Sequence, residues 1–354
     1  MAKEVAILGV GMHPWGKWGK NFVEYGIKAC NDALDDAGLE WQDIEVVAGA
    51  ETVRNGYAGY VAGATFAEAL GWSGARVSTS YAACASGSQA INNARAMILA
   101  DMADVILVVG ADTTPKGFLA PNAGERWTDP DWLRFRLMGC TNPTYFALYA
   151  RRRMDLYGAT EEDFAAIKVK NARHGMANPN ARYHKEFTLE QVLESPMVAD
   201  PLRLFEICAT SDGAAAVVLM SAEKAVELGI KPRMRWHTRA VSGVEPAIMG
   251  IGPVPAVRKA LKKAGMSIDD IGLIELNEAF ASQALYCMRE LNMSLDNTNV
   301  NGSGISLGHP VGATGAIMTV KLMEEMESRG DEVGLVTMCV GGGQGVATIF
   351  QRTE

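Results

Sequence analysis

The stretch Ala37-Gly38-Leu39-Glu40-Trp41-Gln42-Asp43-Ile44-Glu45-Val46-Val47 returns in the second half of the chain as Ala264-Gly265-Met266-Ser267-Ile268-Asp269-Asp270-Ile271-Gly272-Leu273-Ile274. In each copy an amphipathic helix closes on a glycine, which takes the left-handed cap conformation without steric cost, and an acidic turn leads into an apolar strand. Both copies continue through helix, strand, a glycine-bearing turn, a long helix and another strand, so the chain reads as a duplicated half. Strands alternating with helices give mostly parallel sheets with helices on their faces. Two such halves should pack together as pseudo-symmetric layers.

In the first half, strands are expected near residues 5–10, 44–48, 77–79 and 105–109, and helices near 22–37, 60–69 and 84–100. In the second, strands are expected near 233–241, 273–275, 298–301, 334–338 and 346–351, and helices near 256–264, 278–291 and 311–328. A strand near 214–220 closes the first half. Between about 116 and 208 the periodicity breaks into short helical pieces rich in Asn, Pro and Arg, and an excursion of that length marks a lid or a ligand-binding loop. The expected domains are residues 1–115 with 209–228, the loop excursion 116–208, and residues 229–354.

With 354 residues, 48% of them apolar, the chain supports a large core, which excludes a disordered protein. A net charge of -8 without any extended basic stripe excludes nucleic acid as the partner class, and the arginine triplet at 151–153 reads as a solvated helix face. No apolar run reaches the roughly 18 residues that span a bilayer. The N-terminus enters a strand pattern at once, without a signal segment, so a cytoplasmic location is expected. The six cysteines show no Cys-x-x-Cys, which indicates neither a disulfide framework nor a metal site. Cys30, Cys140, Cys208 and Cys287 read as small buried hydrophobes.

Chemistry gathers at glycine turns. Cys84, among Ala83, Ala85, Ser86 and Gly87, opens a helix whose dipole is expected to favour the thiolate. His309 sits in Gly308-His309-Pro310-Val311-Gly312-Ala313-Thr314-Gly315, the turn that matches the Cys84 turn in the repeat, so pseudo-symmetry should bring the two helix N-termini face to face. Cys339 ends an apolar strand ahead of Gly341-Gly342-Gly343, and those glycines are expected to expose its sulfur and to form a nest of backbone N–H groups for an oxyanion. Asn277, in Asn277-Glu278-Ala279-Phe280, ends the inner strand of the second copy, where its amide can fix a water or polarise a carbonyl. A nucleophile, a base and oxyanion donors on neighbouring turns suggest acyl transfer through a cysteine thioester.

Together these four ordered motifs resemble the thiolase family, essentially end to end. The resemblance implies a thiolase fold of two βαβαβαββ halves layered α/β/α/β/α. It implies ping-pong acyl transfer with coenzyme A as co-substrate and no permanently bound cofactor. Cys84 would take the acyl group of a 3-oxoacyl-CoA with His309 as base, releasing acetyl-CoA or propionyl-CoA, and Cys339 would exchange the proton with the departing carbanion; the reverse Claisen condensation uses the same residues. Asn277 with His309 would form one oxyanion hole and the N–H groups of Cys84 and Gly341 the other. Met138, Met249, Phe280 and Ser211 match substrate-binding positions. Arg173-His174-Gly175 and Cys208-Ala209-Thr210-Ser211-Asp212-Gly213 look like the sterol-carrier-protein or lipid-transfer branch, some members of which work with a small zinc-ribbon/OB-fold partner. The family also implies a homodimer. The alternatives are a thiolase-fold retro-aldolase and a non-catalytic acyl-CoA or lipid-binding subunit; the presence of both cysteines favours true thiolase chemistry.

Overall fold

The computed structural model describes residues 4–52, 62–114 and 141–353. The first half supplies β1 (Val5–Gly16), β2 (Val46–Ala50), β3 (Arg76–Ser80), β4 (Val105–Asp112) and β7 (Asp212–Ser221). The second supplies β8 (Met234–Gly243), β9 (Leu273–Leu276), β10 (Val333–Val340) and β11 (Gln344–Arg352). These nine strands are ordered β3-β2-β4-β7-β1-β8-β11-β10-β9. Read outward from the centre, β1-β7-β4-β2-β3 is answered by β8-β11-β10-β9, the duplication seen in the sequence. The halves join where β1 pairs with β8 through Ala6↔Arg235 and Ile7↔Met234. The sheet is more mixed than expected, because β7 and β11 run antiparallel to both their neighbours.

The strand expected at 298–301 is reduced to a single bridge, Ile274↔Thr298. Asn299 takes φ 51°, a left-handed conformation that cannot continue an extended strand.

Helices α1 (Phe22–Ala37) and α2 (Ala62–Leu70) cover the outer face of the first half, where Phe22, Tyr25, Leu34 and Phe66 pack on Leu8, Val47, Leu107 and Val218. Asn21 caps α1 through a capping box with Glu24, and Gly38 ends it at φ 66°, as the opening motif implied. Helices α8 (Pro253–Ala264) and α9 (Ala281–Leu291) cover the outer face of the second half in the same way. Between the halves lie α3 (Ser86–Leu99) and α10 (Thr314–Arg329), whose Ile91, Ile98, Ile317, Leu322 and Met326 share one core with strands of both halves. Three apolar cores thus hold the helices to the sheet, and each large side chain in them contributes about 1.5–3 kcal/mol by leaving water.

The excursion is more regular than its sequence suggested. It contains two full helices, α4 (Asn142–Tyr157) and α5 (Glu161–Gly175), the latter started by a capping box of Thr160 and Asp163. Its described residues also hold a short α6 (Leu189–Leu193) and the hairpin of β5 (Met197–Ala199) and β6 (Leu202–Arg203), and α7 (Ala222–Leu228) follows β7. Helix α4 buries only Phe146, Ala147 and Ala150, too narrow a stripe to read as a helical period.

Candidate active site

The Cys84 turn begins where β3 ends. A 3-10 turn, Ala83–Ala85, precedes α3, with Ala83 held at φ 45°. Ser86 fixes that strained backbone: its hydroxyl donates to the Ala83 carbonyl at 2.8 Å and accepts the Ala82 N–H at 2.9 Å. The turn packs on the end of β10 and on α10. The two central helices touch at their N-termini through glycine: a Cβ on Gly315 would lie 2.2 Å from the Ser88 nitrogen, and one on Gly87 2.6 Å from that of Ala316. The expected face-to-face arrangement is therefore present.

Burial pushes the Cys84 thiol up to about 11, with the backbone N–H groups of Gly341 and of Cys84 itself pulling the other way. This is opposite to the lowering expected from the helix dipole: although Cys84 is only half-buried by surface area, desolvation outweighs the local donors and favours the thiol.

Cys339 lies on β10 opposite Gly345 of β11. It is fully buried rather than exposed by the glycines that follow, because the hairpin folds back over it. Burial, then the proximity of Cys84, Cys287 and Cys208, raises its pKa well above the ordinary thiol value. Beyond it Gly342 and Gly343 take φ 94° and 93°. Cys208 belongs to the same thiol cluster, since it and Cys84 influence one another electrostatically. Its neighbour Ala209 accepts the His309 N–H at 2.9 Å. In the sequence Cys208 read as packing, and only the motif it opens, Cys208-Ala209-Thr210-Ser211, hinted otherwise.

His309 follows Gly308, whose φ of 117° only glycine adopts freely and whose missing Cβ would lie 2.3 Å from that of Ser211. Thr314 Oγ1 donates to the Pro310 carbonyl at 2.8 Å, so its single proton is engaged and it must accept from His309 Nδ1, 2.7 Å away. That sets the tautomer: Nδ1 carries the proton and Nε2 offers a lone pair beside Asn277 Nδ2, 3.5 Å away. Burial lowers the His309 pKa to about 4, so the imidazole is neutral. Asn277 follows β9, is buried, and donates its backbone N–H to the Thr337 carbonyl at 3.0 Å.

The substrate positions are dispersed. Phe280 is buried and stacks on Phe146 of α4 with centroids 3.9 Å apart, a partner that sequence reasoning missed. Met249 is half-buried in the 3-10 turn Pro246–Ile251, which packs against β10. Ser211 is fully buried, its hydroxyl directed at the carbonyls of Gly16 and Asp212, so it buttresses the His309 turn from behind. Met138 lies outside the described residues. Among the described residues no helix is long and apolar enough to cross a membrane.

Two neutral thiols, a neutral imidazole and backbone donors on touching turns can exchange protons and carry an acyl group. Residues 5–223 match the family described as "Thiolase, N-terminal domain" and residues 230–352 that described as "Thiolase, C-terminal domain". A 3-ketoacyl-CoA thiolase of Psychrobacter cryohalolentis is 39% identical over 297 residues, 76% of each chain. An acetyl-CoA acetyltransferase of Syntrophomonas wolfei is 32% identical across 99% of this chain and 100% of that one. Among solved structures, human mitochondrial 3-ketoacyl-CoA thiolase superposes with a TM-score of 0.86 at 26% identity, covering 100% of both chains, and its complex with CoA with a TM-score of 0.84.

Proposed function

Because the chain belongs to the thiolase family, we propose that Cys84 is the residue that carries the acyl group and that His309, Cys339, Asn277 and Gly341 serve it. The activity is that of a thiolase, an acyltransferase that cleaves a 3-oxoacyl-CoA with coenzyme A, or condenses the products in reverse. Coenzyme A is a substrate, and no resident cofactor takes part.

In this reading Cys84 Sγ attacks the 3-oxo carbon as its proton passes to His309 Nε2. The bond between C2 and C3 then breaks, leaving the acyl group on Cys84 as a thioester. The electron pair stays on C2 of the departing thioester, and the Cys339 thiol protonates it. The incoming CoA thiol gives its proton to the Cys339 thiolate as it attacks the acyl-Cys84, and the leaving Cys84 sulfur recovers its proton from His309. Negative charge appears on two oxygens in turn. The N–H groups of Cys84 and Gly341 face the acyl-enzyme oxygen, while Asn277, through a water, and protonated His309 face the enolate oxygen.

The observation that carries this reading is the placement of His309: a buried ring with Nδ1 2.7 Å from Thr314 Oγ1 and Nε2 3.5 Å from Asn277 Nδ2. Cleavage of a panel of 3-oxoacyl-CoA thioesters, with Cys84→Ala as control, tests it. Turnover should require both CoA and Cys84. Release of a ketone without CoA would instead establish the retro-aldolase, and acyl-CoA binding without turnover the non-catalytic subunit.

The finer assignments belong to the same proposal. We read residues 1–115 with 209–228 and residues 229–354 as the two halves, and 116–208 as the excursion that covers them. Membership of the sterol-carrier-protein branch rests on the motifs Arg173-His174-Gly175 and Cys208-Ala209-Thr210-Ser211-Asp212-Gly213. That branch carries with it the small zinc-ribbon/OB-fold partner, and a cytoplasmic location completes the reading. A homodimer is supported by β3, which ends the sheet.

A further inference from the structure

A single buried amide grips both neighbours of Asn277. Asn299 Oδ1 accepts the Leu276 N–H at 2.8 Å, and its Nδ2 donates to the Leu276 carbonyl at 2.9 Å and to Glu278 Oε1 at 2.7 Å. Asn299 is fully buried, and its φ of 51° turns the side chain back on β9. Its main chain is tied as firmly: the N–H donates to the Ile274 carbonyl at 2.8 Å, and the carbonyl accepts from Gly302 N at 3.0 Å and from His174 Nδ1 at 3.0 Å. Ser303 Oγ adds a second donor to the Leu276 carbonyl at 2.9 Å.

The clamp extends into the excursion. Lys170 of α5 donates to the Thr298 carbonyl and Lys168 to that of Ile305, so α5 holds the segment bearing Asn299 from below. Lys321 of α10 pairs with Glu275 at 2.7 Å and donates to the Gly302 carbonyl at 2.6 Å. Among the described residues the Asn277 side chain makes one long hydrogen-bond contact, to His309 Nε2 at 3.5 Å. Its orientation is therefore imposed by its neighbours rather than by its own side chain. Buried hydrogen bonds of this kind fix geometry to a fraction of an ångström, and here they hold both main-chain polar groups of Leu276 and one carboxylate oxygen of Glu278.

We propose that Asn299 is the positioning residue of the site, holding Leu276 and Glu278 so that the Asn277 amide stays aimed at the oxyanion position beside His309. This rests on the assignment of Asn277 above. Asn299 touches no reacting atom. Its effect falls on the step in which charge appears on the enolate oxygen, and spares acylation of Cys84 by a simple thioester such as acetyl-CoA, which forms no enolate and uses the Cys84 and Gly341 N–H groups.

The two steps separate experimentally. Exchange of labelled CoA into acetyl-CoA needs only acylation and deacylation of Cys84, whereas thiolysis of acetoacetyl-CoA also needs the carbon–carbon step. Asn299→Gly keeps the left-handed backbone and deletes the grip. It should lower thiolysis kcat by about 10²-fold, the loss expected for a displacement near 1 Å, while exchange changes less than about threefold, within the factor that context alone produces. Equal loss in both assays, or loss in neither, overturns the proposal. If Asn299→Gly fails to fold by circular dichroism, Ser303→Ala, which removes one of the two donors on the Leu276 carbonyl, should show a smaller split of the same sign, and an even loss overturns the proposal there too. Asn277→Ala run alongside distinguishes the failures. If it shows the split and Asn299→Gly does not, the positioning role is wrong; if Asn277→Ala shows none, the oxyanion role of Asn277 is wrong and the inference falls with it.

Discussion

At the scale of single residues, desolvation governs the site. Burial holds His309 neutral by lowering its pKa to about 4 and keeps Cys84 protonated by raising its pKa to about 11. An imidazole with a lowered pKa has a thermodynamic signature of known sign. Between its unfolded value of 6.5 and about 4 the unfolded chain binds the proton and the folded chain does not. Stability is therefore complete above pH 6.5 and lost as pH falls toward 4, by about 3 kcal/mol over the window. Denaturant unfolding from pH 7 to pH 4, compared between the wild-type chain and His309→Gln, should show that extra acid sensitivity in the wild type only. Identical pH dependence in the two would mean that His309 titrates normally in the fold. Cys84, Cys339 and His309 were legible as candidates because each sits in a local glycine or small-residue motif, and Asn277 because it ends an inner strand. The sequence did not show Thr314 or Asn299 as determinants, because one acts through a tautomer and the other through hydrogen bonds to a different strand.

At the scale of elements, the helix caps were legible and the strand pairing was not. Gly38 and Gly265, at φ 66° and 67°, end α1 and α8 where the repeated motif placed them. Helices α4 and α5 escaped notice because their buried stripes are narrow and partly polar, with Lys168 and Lys170 buried on α5. Strand β3 carries a prediction of its own. Among the described residues it is paired on one side only, Val77 is 43% exposed, and Trp72 and Tyr81 flank it at 95% and 72%. A mostly polar edge strand flanked by exposed Trp72 and Tyr81 is the seam on which the proposed homodimer is tested. Light scattering should give the mass of two chains, and Val77→Lys should reduce it to one; a wild-type monomer at micromolar concentration would contradict the homodimer.

At the scale of the molecule, the duplication explains why residues so far apart in sequence act together. The two halves pack α3 and α10 against each other with glycine at the contact, which lays the Cys84 turn beside the His309 turn and under the end of β10. The symmetric fold thus brings together non-equivalent turns, one bearing Cys84 from the first copy and one bearing His309 from the second. Helix α5 then ties the excursion to the segment bearing Asn299, so the part of the chain least readable in the sequence braces the part most readable.

The central claim is that Cys84 carries the acyl group. Intact-protein and peptide mass spectrometry after brief mixing with acetoacetyl-CoA in the absence of free CoA tests it most directly. The account predicts an acetyl adduct on the peptide bearing Cys84, discharged by added CoA and absent in Cys84→Ala; an adduct on Cys339 or Cys208, or turnover with Cys84 unmodified, would contradict it.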